Sequence, residues 1–251
     1  MKSLDVLFTP ADFAALKNHR LDGTLCVVFD VFRATSSMVT ALANGAEAII
    51  PVGEIPEALA LKQKSPDVLL AGERDGVRIR AAQTGGIDFD LGNSPREFTK
   101  QKVAGKTIVM TTTNGTRALR SCAHAQTVMI GSFLNLKATA EFILPASPEN
   151  LLFICSGTYE ETAYEDALGV GALCDALWNQ LAQSKISDSA KMARELYTVA
   201  SKDVAAAAAT SRNGTRLSSI PDFRADVPYC TQRDIFNFAA AMQKNGKIQK
   251  L

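Results

Sequence analysis

The sequence has little of what several enzyme classes depend on. It contains only two histidines, His19 and His124, and neither stands beside a convincing catalytic partner. Its five cysteines are scattered without a Cys-x-x-Cys pair, which argues against a zinc cage and is typical of reduced thiols in a cytoplasmic protein. Cys155 follows an apolar run, but without a base beside it core packing explains it better than nucleophilic catalysis.

A strong charge of either sign and a long apolar run are also missing. The net charge is +1, which argues against a nucleic-acid binder whose affinity rests on bulk phosphate contacts. No apolar run is long enough to span a membrane, and the first residues lack the apolar core of a signal peptide. These absences predict a cytoplasmic protein with no nucleic-acid partner and no membrane partner.

Familiar phosphatase and nucleotide signatures are absent as well. Asp30-Val31-Phe32 has phenylalanine where phosphatases of the haloacid-dehalogenase type place a second aspartate. There is no Cys-x5-Arg loop, no G-x-x-x-x-G-K-[ST], and no G-x-G-x-x-G after an apolar run. The sequence therefore argues against a dinucleotide enzyme and against the common phosphatase classes.

What the sequence does contain is a regular alternation of short apolar runs and helical patterns. This alternation predicts an α/β fold with three α/β/α layers, in which helices cover both faces of a mostly parallel sheet. Asn245-Gly246 separates the stretches 236–243 and 248–251 and predicts a C-terminal β-hairpin, which makes the sheet mixed. No low-complexity linker interrupts residues 1–251, so we predict a single compact domain.

The stretch TTTNGTR, residues 111–117, has the pattern of a strand, a turn and a helix start. Free backbone N–H groups at a helix N-terminus, threonine hydroxyls and an arginine fork can together hold an anion. The alternative is a capped turn that binds nothing. The candidate anion-binding residues are Thr111, Thr112, Thr113, Asn114, Gly115, Thr116 and Arg117.

Part of this stretch recurs, since Asn114-Gly115-Thr116-Arg117 is repeated at residues 213–216. One interpretation is chance. The other is a second copy of the same anion-binding corner, in a domain built from two pseudo-similar halves.

Polar residues follow several other predicted strands, where ligands gather in parallel α/β sheets. Carboxylates beside anion donors suit a divalent cation held next to a phosphate, with a water that attacks phosphorus. The alternatives are a helix cap for Asp30, favourable charge at a helix N-terminus for Glu165 and Asp166, and a solvated face for Arg74, Arg78 and Arg80. These strand-end residues are Asp30, Arg33, Glu73, Arg74, Ser156, Gly157, Glu165 and Asp166.

Taken in order, five segments resemble the 2-phosphosulfolactate phosphatase family. The resemblance runs from Asp30 to Asp166 and continues weakly to Asp226 and Asp234. Each motif is weak alone, whereas five in the right order are specific. The segments are Asp30–Ser36, Gly72-Glu73-Arg74, Asp90–Pro95, Thr111–Arg117, and Cys155-Ser156-Gly157 followed by Glu165-Asp166.

The resemblance implies a Mg²⁺-dependent hydrolase that converts (2R)-2-phospho-3-sulfolactate to sulfolactate and phosphate, a step of coenzyme M synthesis. It also implies a three-layer α/β/α fold. The sequence departs from the family pattern at two places. These departures affect the identity of the substrate more than the class of reaction. The segment Arg78–Gly86 is longer and more polar than the family pattern leads us to expect, and Asp222 stands where we expect glycine. A related small phosphate ester therefore stays open as the substrate.

Roles follow from the resemblance as hypotheses. Asp30 is assigned as a Mg²⁺ ligand, Glu165 and Asp166 as further ligands or as the general base, and Glu73 as a further candidate ligand. Phosphate is assigned to Arg33, Asn93, Ser94 and the 111–117 corner, and Ser156 and Gly157 are assigned to substrate binding. The sulfonate or carboxylate is assigned to Arg74, Arg117 or Arg216.

Two rival functions remain open from the sequence. One is a non-catalytic sensor that binds a phosphorylated metabolite, and the other is a phosphosugar isomerase or lyase that releases no phosphate. The expected partner is in each case a small anionic phosphate ester. Because small α/β metabolic enzymes often dimerise, a homodimer is also expected.

Overall fold

Eleven strands form one mixed β-sheet in the computed structural model, which describes residues 1–251. Helices cover both faces, so the predicted α/β fold with a mostly parallel sheet is confirmed. The strands are β1 Ser3–Leu7, β2 Thr24–Phe29, β3 Ala48–Pro51, β4 Leu69–Arg74, β5 Val77–Arg78, β6 Thr107–Thr111, β7 Thr127–Gly131, β8 Asn150–Cys155, β9 Lys185–Ile186, β10 Ala240–Met242 and β11 Ile248–Lys250. The helices are α1 Pro10–Ala14, α2 Ala34–Ala43, α3 Ile55–Lys64, α4 Ala81–Thr84, α5 Lys100–Val103, α6 Gly115–Ser121, α7 Leu136–Ala146, α8 Tyr164–Leu177, α9 Asp188–Ala200, α10 Val204–Ala209, α11 Arg212–Ser219 and α12 Asp226–Cys230.

The sheet consists of two parallel groups separated by an antiparallel hairpin. The strand order is β5-β4-β6-β3-β11-β10-β7-β2-β8-β1-β9. Strands β4, β6 and β3 are parallel to one another, and so are β7, β2, β8, β1 and β9. Three successive antiparallel pairings, β7–β10, β10–β11 and β11–β3, lie between them. Because the direction reverses three times, the two groups run in opposite directions along the ladder.

The predicted C-terminal hairpin is present, although its first strand is shorter than the apolar stretch suggested. It turns at Gly246, whose φ of +78° suits glycine. The hairpin lies at the centre of the sheet and joins the two parallel groups. Its paired residues are Ile248 with Ile49 on β3, and Ala241 with Met129 on β7.

One hydrophobic core links the two groups on the face that α2 and α6 cover. It contains Val28 from β2, Met110 from β6 and Leu119 from α6, all of them buried. The residues that follow β2 and β6 lie close together: an ideal Cβ on Gly115, at the start of α6, would lie 2.6 Å from Asp30 Oδ2. This convergence creates the cavity described below.

The remaining elements refine the predicted pattern. The polar, glycine-rich segment 72–95 contains the end of β4, the short strand β5 and the helix α4. The segment 188–210 forms two helices, α9 and α10. All five cysteines are free and buried. None of the helices combines the length and the apolar character that crossing a membrane requires.

Candidate active site

A cavity lies where the carboxyl ends of strands from both parallel groups converge. It holds about 700 Å³ of empty space, its open mouth included. The predicted site residues that line it are Asp30, Arg33, Glu73, Asn93, Thr113, Asn114, Gly157, Glu165, Asp166 and Arg216. The other predicted site residues lie outside the lining, and they are Arg74, Ser94, Thr111, Thr112, Gly115, Thr116, Arg117 and Ser156.

The hydroxyls of the 111–117 corner are largely used within the corner itself. Thr112 and Thr116 each donate a backbone N–H to the other's Oγ1 at 3.2 Å, and Thr116 Oγ1 donates to Thr112 O. Thr111 Oγ1 donates to Gly53 O at 3.1 Å. These three hydroxyls hold the turn, while the corner lines the cavity through Thr113 and Asn114.

Asn114 and Ser156 lie near the junction between the corner and the loop after β8. Asn114 Nδ2 donates to Gly157 O at 3.1 Å, which leaves its Oδ1 buried without a partner. Ser156 is fully buried, and its Oγ also has no partner. Buried polar atoms are normally satisfied, so unpaired oxygens beside a cavity are typical of a site that expects a ligand or water.

The arginines occupy very different surroundings. Arg33 is buried, its Nη1 donates to Asp226 Oδ2 at 2.7 Å, and its guanidinium stacks on Phe223. Arg216 is exposed at the mouth, where it donates to Asp75 O. Of the three arginines assigned to the sulfonate or carboxylate, only Arg216 lines the cavity.

Arg74 and Arg117 are held elsewhere. Arg74 donates to Glu73 O at 2.7 Å and to Thr111 Oγ1 at 3.1 Å. Arg117 forms an exposed ion pair with Glu160, at 2.7 Å between Nη1 and Oε1. Neither guanidinium points to the cavity in this arrangement.

Two of the predicted carboxylates brace the loops around the cavity. Asp166 accepts from Val31 N–H at 2.7 Å through Oδ1 and from Gly157 N–H at 3.1 Å through Oδ2. Glu73 accepts from Thr113 N–H at 2.8 Å through Oε1, and its Oε2 accepts from a second backbone N–H, that of residue 76. Both oxygens of each carboxylate therefore fix backbone segments that lie far apart in the sequence.

Asp30 and Glu165 each keep one oxygen free. Asp30 Oδ1 caps α2 by accepting from Ala34 N–H at 2.8 Å, and no hydrogen bond reaches its Oδ2. Glu165 Oε1 accepts from Asn213 Nδ2 at 2.6 Å, while its Oε2 is buried and unpaired. The cap and the site interpretations of Asp30 are thus compatible, because each uses a different oxygen.

Negative charge accumulates in this cavity. Five carboxylates line it, Asp75 included, against the two guanidinium groups of Arg33 and Arg216. Burial, with the nearby charges of Glu73 and Glu165, raises the pKa of Asp30 to about 7 against the lowering effect of the Ala34 N–H. Burial also raises the pKa of Glu165. Negative charges on buried carboxylates that lie close together raise the free energy of the folded protein. A bound cation or protons must therefore compensate these charges.

The donor set fits a magnesium ion that is completed by substrate. No group of three or more histidine, cysteine, aspartate or glutamate side chains is placed to hold a metal ion by itself. Mg²⁺, however, is commonly bound by one or two carboxylates together with substrate phosphate and water. Asp30 Oδ2 and the orphaned Glu165 Oε2 are the oxygens available for that role.

Sequence reasoning missed two residues that organise the site. Asp226 is completely buried and binds Arg33, and it also accepts from Ser94 Oγ at 2.7 Å. Ser94 is the N-cap residue of the 3₁₀ turn Pro95–Glu97, but its side chain makes no capping hydrogen bond, because it donates to Asp226. Only the weak extension of the resemblance to Asp226 pointed to this residue.

The second missed residue is Asn213, which belongs to the repeated tetrapeptide. Residues 213–216 lie inside α11, whereas residues 114–117 form a turn and the start of α6. Identical residues thus have different conformational roles. The repeat nevertheless marked a segment of the site, since Asn213 and Arg216 both line the cavity.

Comparison with known proteins gives a consistent result. A model of the 2-phosphosulpholactate phosphatase family matches residues 12–245. The chain is 35% identical to the probable 2-phosphosulfolactate phosphatase of Caldicellulosiruptor saccharolyticus over 232 residues, which are 91% of this chain and 93% of that protein. It is 37% identical to the protein of the same name from Pseudothermotoga lettingae, over 98% of this chain and 99% of that protein. For the Thermotoga petrophila protein of that name, the identity is 39% over 84% of this chain and 85% of that protein.

Proposed function

We propose a reaction from one premise: the chain belongs to the 2-phosphosulpholactate phosphatase family. The reaction is hydrolysis of the phosphate monoester of 2-phospho-3-sulfolactate to 3-sulfolactate and phosphate. The observation that carries the proposal is the pair of free carboxylate oxygens, Asp30 Oδ2 and Glu165 Oε2, in a cavity where the carboxylates of Asp166 and Glu73 are occupied by backbone N–H groups. As the resemblance implies, we place this reaction in coenzyme M synthesis, with a related small phosphate ester as the alternative substrate.

Charge balance supports a requirement for Mg²⁺. The substrate carries phosphate, carboxylate and sulfonate, and the cavity already holds more carboxylates than guanidinium groups. Arg33 is compensated by Asp226 and cannot offset this excess alone. When bound, the ion polarises the phosphoryl oxygens and lowers the pKa of a coordinated water. Asp30 and Glu165 are the residues that would hold it.

The chain's own residues then position the reactants. Arg33 lies at the cavity wall, where its guanidinium can orient the phosphate, and the Thr113–Asn114 turn beside it is fixed by Glu73 and Gly157. Water attacks phosphorus, the bond from phosphorus to the sulfolactate oxygen breaks, and a free carboxylate oxygen accepts the proton of the attacking water. A proton returns to the departing alkoxide, which leaves 3-sulfolactate and inorganic phosphate. Asp166 and Glu73 hold the loops around the cavity in place through their hydrogen bonds to backbone N–H groups.

Removal of the metal tests this proposal directly. We expect phosphate release from 2-phosphosulfolactate to fall at least tenfold in EDTA and to recover when Mg²⁺ is added in excess, because the clustered carboxylates would repel a trianionic substrate. A colorimetric assay of free phosphate measures both states. Full activity in EDTA would contradict the metal requirement, and binding of the ester without any phosphate release would favour the non-catalytic sensor. Conversion of a phosphosugar without phosphate release would favour the isomerase or lyase.

Arg216 is proposed to bind the sulfonate of the substrate. It is exposed at the mouth and lines the cavity, whereas Arg74 and Arg117 do not. We expect Arg216→Ala to raise the KM for 2-phosphosulfolactate by about 10–100-fold, in line with loss of a charge-assisted hydrogen bond. The KM for 2-phospholactate, which has no sulfonate, should change less than twofold.

The matched control for this variant is Arg212→Ala. Arg212 lies on the same helix and is exposed, but it pairs with Glu161 and does not line the cavity. Its loss should leave both KM values unchanged. Equal increases of both KM values in Arg216→Ala would assign Arg216 to the carboxylate or phosphate.

A further inference from the structure

Helix α11 contacts the loops of both sheet groups across the cavity. At one end Asn213 binds the segment after β8, which supplies Thr158 and Glu165. One turn further along the helix, Arg216 donates to Asp75 O in the loop after β4. The helix is therefore placed to set the geometry of side chains that come from distant parts of the chain.

Glu165 depends on this helix for its orientation. Asn213 Nδ2 donates to Glu165 Oε1 at 2.6 Å and to Thr158 Oγ1 at 2.7 Å, so both amide protons are used. The amide thus links the Glu165 carboxylate to Thr158 in the loop after β8 and fixes their relative position. The result is that Oε1 is occupied and Oε2 is left unpaired.

Asn213 is not needed to begin its own helix. Ser211 is the N-cap of α11, and its side chain accepts from Gly214 N–H at 2.9 Å. The side chain of Asn213 makes no hydrogen bond to the backbone of α11; its amide donates to Thr158 and Glu165 instead. The side chain of Asn213 thus orients site residues, whereas the capping of α11 depends on Ser211.

We propose that Asn213 is a positioning residue that holds Glu165 with Oε2 directed to the reacting ligand. The inference rests on the proposed function, since it assigns Glu165 Oε2 to the cation and the substrate. Some residues hydrogen-bond to a metal ligand without touching the metal. Replacing such a residue commonly lowers metal affinity or activity by about 10–100-fold. Without the amide, Glu165 can turn its free oxygen towards Thr158 or towards water, and the ligand loses a fixed partner.

The test uses Asn213→Ala and Asn213→Ser in the full chain, with Thr215→Ala as control. Thr215 is exposed on the same helix and does not line the cavity. Binding of Mn²⁺, as a probe for the divalent cation, is measured by calorimetry without substrate. Steady-state phosphate release at saturating Mg²⁺ gives kcat and KM separately, and thermal unfolding reports whether each variant is folded.

We expect both Asn213 variants to bind Mn²⁺ about tenfold or more weakly and to lose kcat by about 10–100-fold. KM for 2-phosphosulfolactate should change less than twofold, because Asn213 does not bind the substrate. Thr215→Ala should match the wild type. Wild-type Mn²⁺ affinity together with wild-type kcat in the folded Asn213 variants would overturn the proposal, as would a change confined to KM.

Failure of the proposed function has a different signature. If wild-type protein releases phosphate without binding Mn²⁺, the cation assignment is wrong, and the kcat of the Asn213 variants alone decides whether Asn213 positions Glu165. If wild-type protein releases no phosphate from 2-phosphosulfolactate, the proposed function itself is wrong.

Discussion

Replacing Asp30 by asparagine is expected to slow phosphate release by about 10²–10⁴-fold, the range found when a charged or proton-accepting group is removed from an active site. Asparagine has the same shape and keeps an oxygen that can accept from Ala34 N–H, so α2 remains capped. What disappears is the negative charge at the oxygen that no hydrogen bond reaches. The kcat at saturating Mg²⁺ measures the effect, and circular dichroism checks the fold.

Two further variants sharpen this prediction. Glu165→Gln removes the other free carboxylate and should give a loss of similar size. Glu141→Gln removes an exposed carboxylate on α7 that pairs with Lys137 at 3.7 Å, and it should leave kcat unchanged. A kcat for Asp30→Asn within threefold of the wild-type value would show that Asp30 only caps α2.

Replacing Asp226 by alanine is expected to lower the free energy of unfolding by about 3–5 kcal/mol. The carboxylate is fully buried and pairs with Arg33 at 2.7 Å, and Arg33 is 3% exposed. Removal of the aspartate leaves a buried guanidinium without its hydrogen-bonded counter-ion. It also removes the acceptor of Ser94 Oγ. Urea unfolding, followed by fluorescence of the single tryptophan, gives the change.

A surface pair provides the comparison for this variant. Asp175 binds Arg194 at 2.9 Å, but its side chain is 42% exposed, so Asp175→Ala should cost less than about 1 kcal/mol. The double variant Arg33→Met/Asp226→Leu removes both buried charges and should recover most of the stability. It should remain inactive, because Arg33 lines the cavity. A single Asp226→Ala variant as stable as wild type would mean that Arg33 finds another partner or water.

The sequence was informative about the site wherever polar residues directly follow an apolar run. Asp30, Glu73 and the 111–117 corner each end a strand, and all three reach one cavity. Which of their atoms are free was not predictable from residue type. Glu73 and Asp30 are both strand-end carboxylates, yet the oxygens of Glu73 are bound by backbone N–H groups of two separate loops, at residues 76 and 113.

The fold was predictable in its layers but not in its strand order. Alternating apolar runs indicate a mostly parallel sheet, and they carry no information about the direction of one group relative to another. That direction is set by the central hairpin, whose recorded partners on β3 and β7 are Ile49 and Met129, far from it in sequence. The rule that ligands gather at the carboxyl ends of one parallel sheet led to the right residues, although here they come from two groups of strands that run in opposite directions.

The position of the hairpin has a consequence for synthesis on the ribosome. The parallel strands of both groups are complete by Ile186, whereas the segment that joins them begins only at Ala240. At about 5–20 residues per second, several seconds separate the two events. During that interval the edges of β3 and β7 lack their final neighbours, and unpaired edges are templates for pairing with other chains. The nascent protein is thus most vulnerable to aggregation just before residues 240–250 emerge and join the two groups.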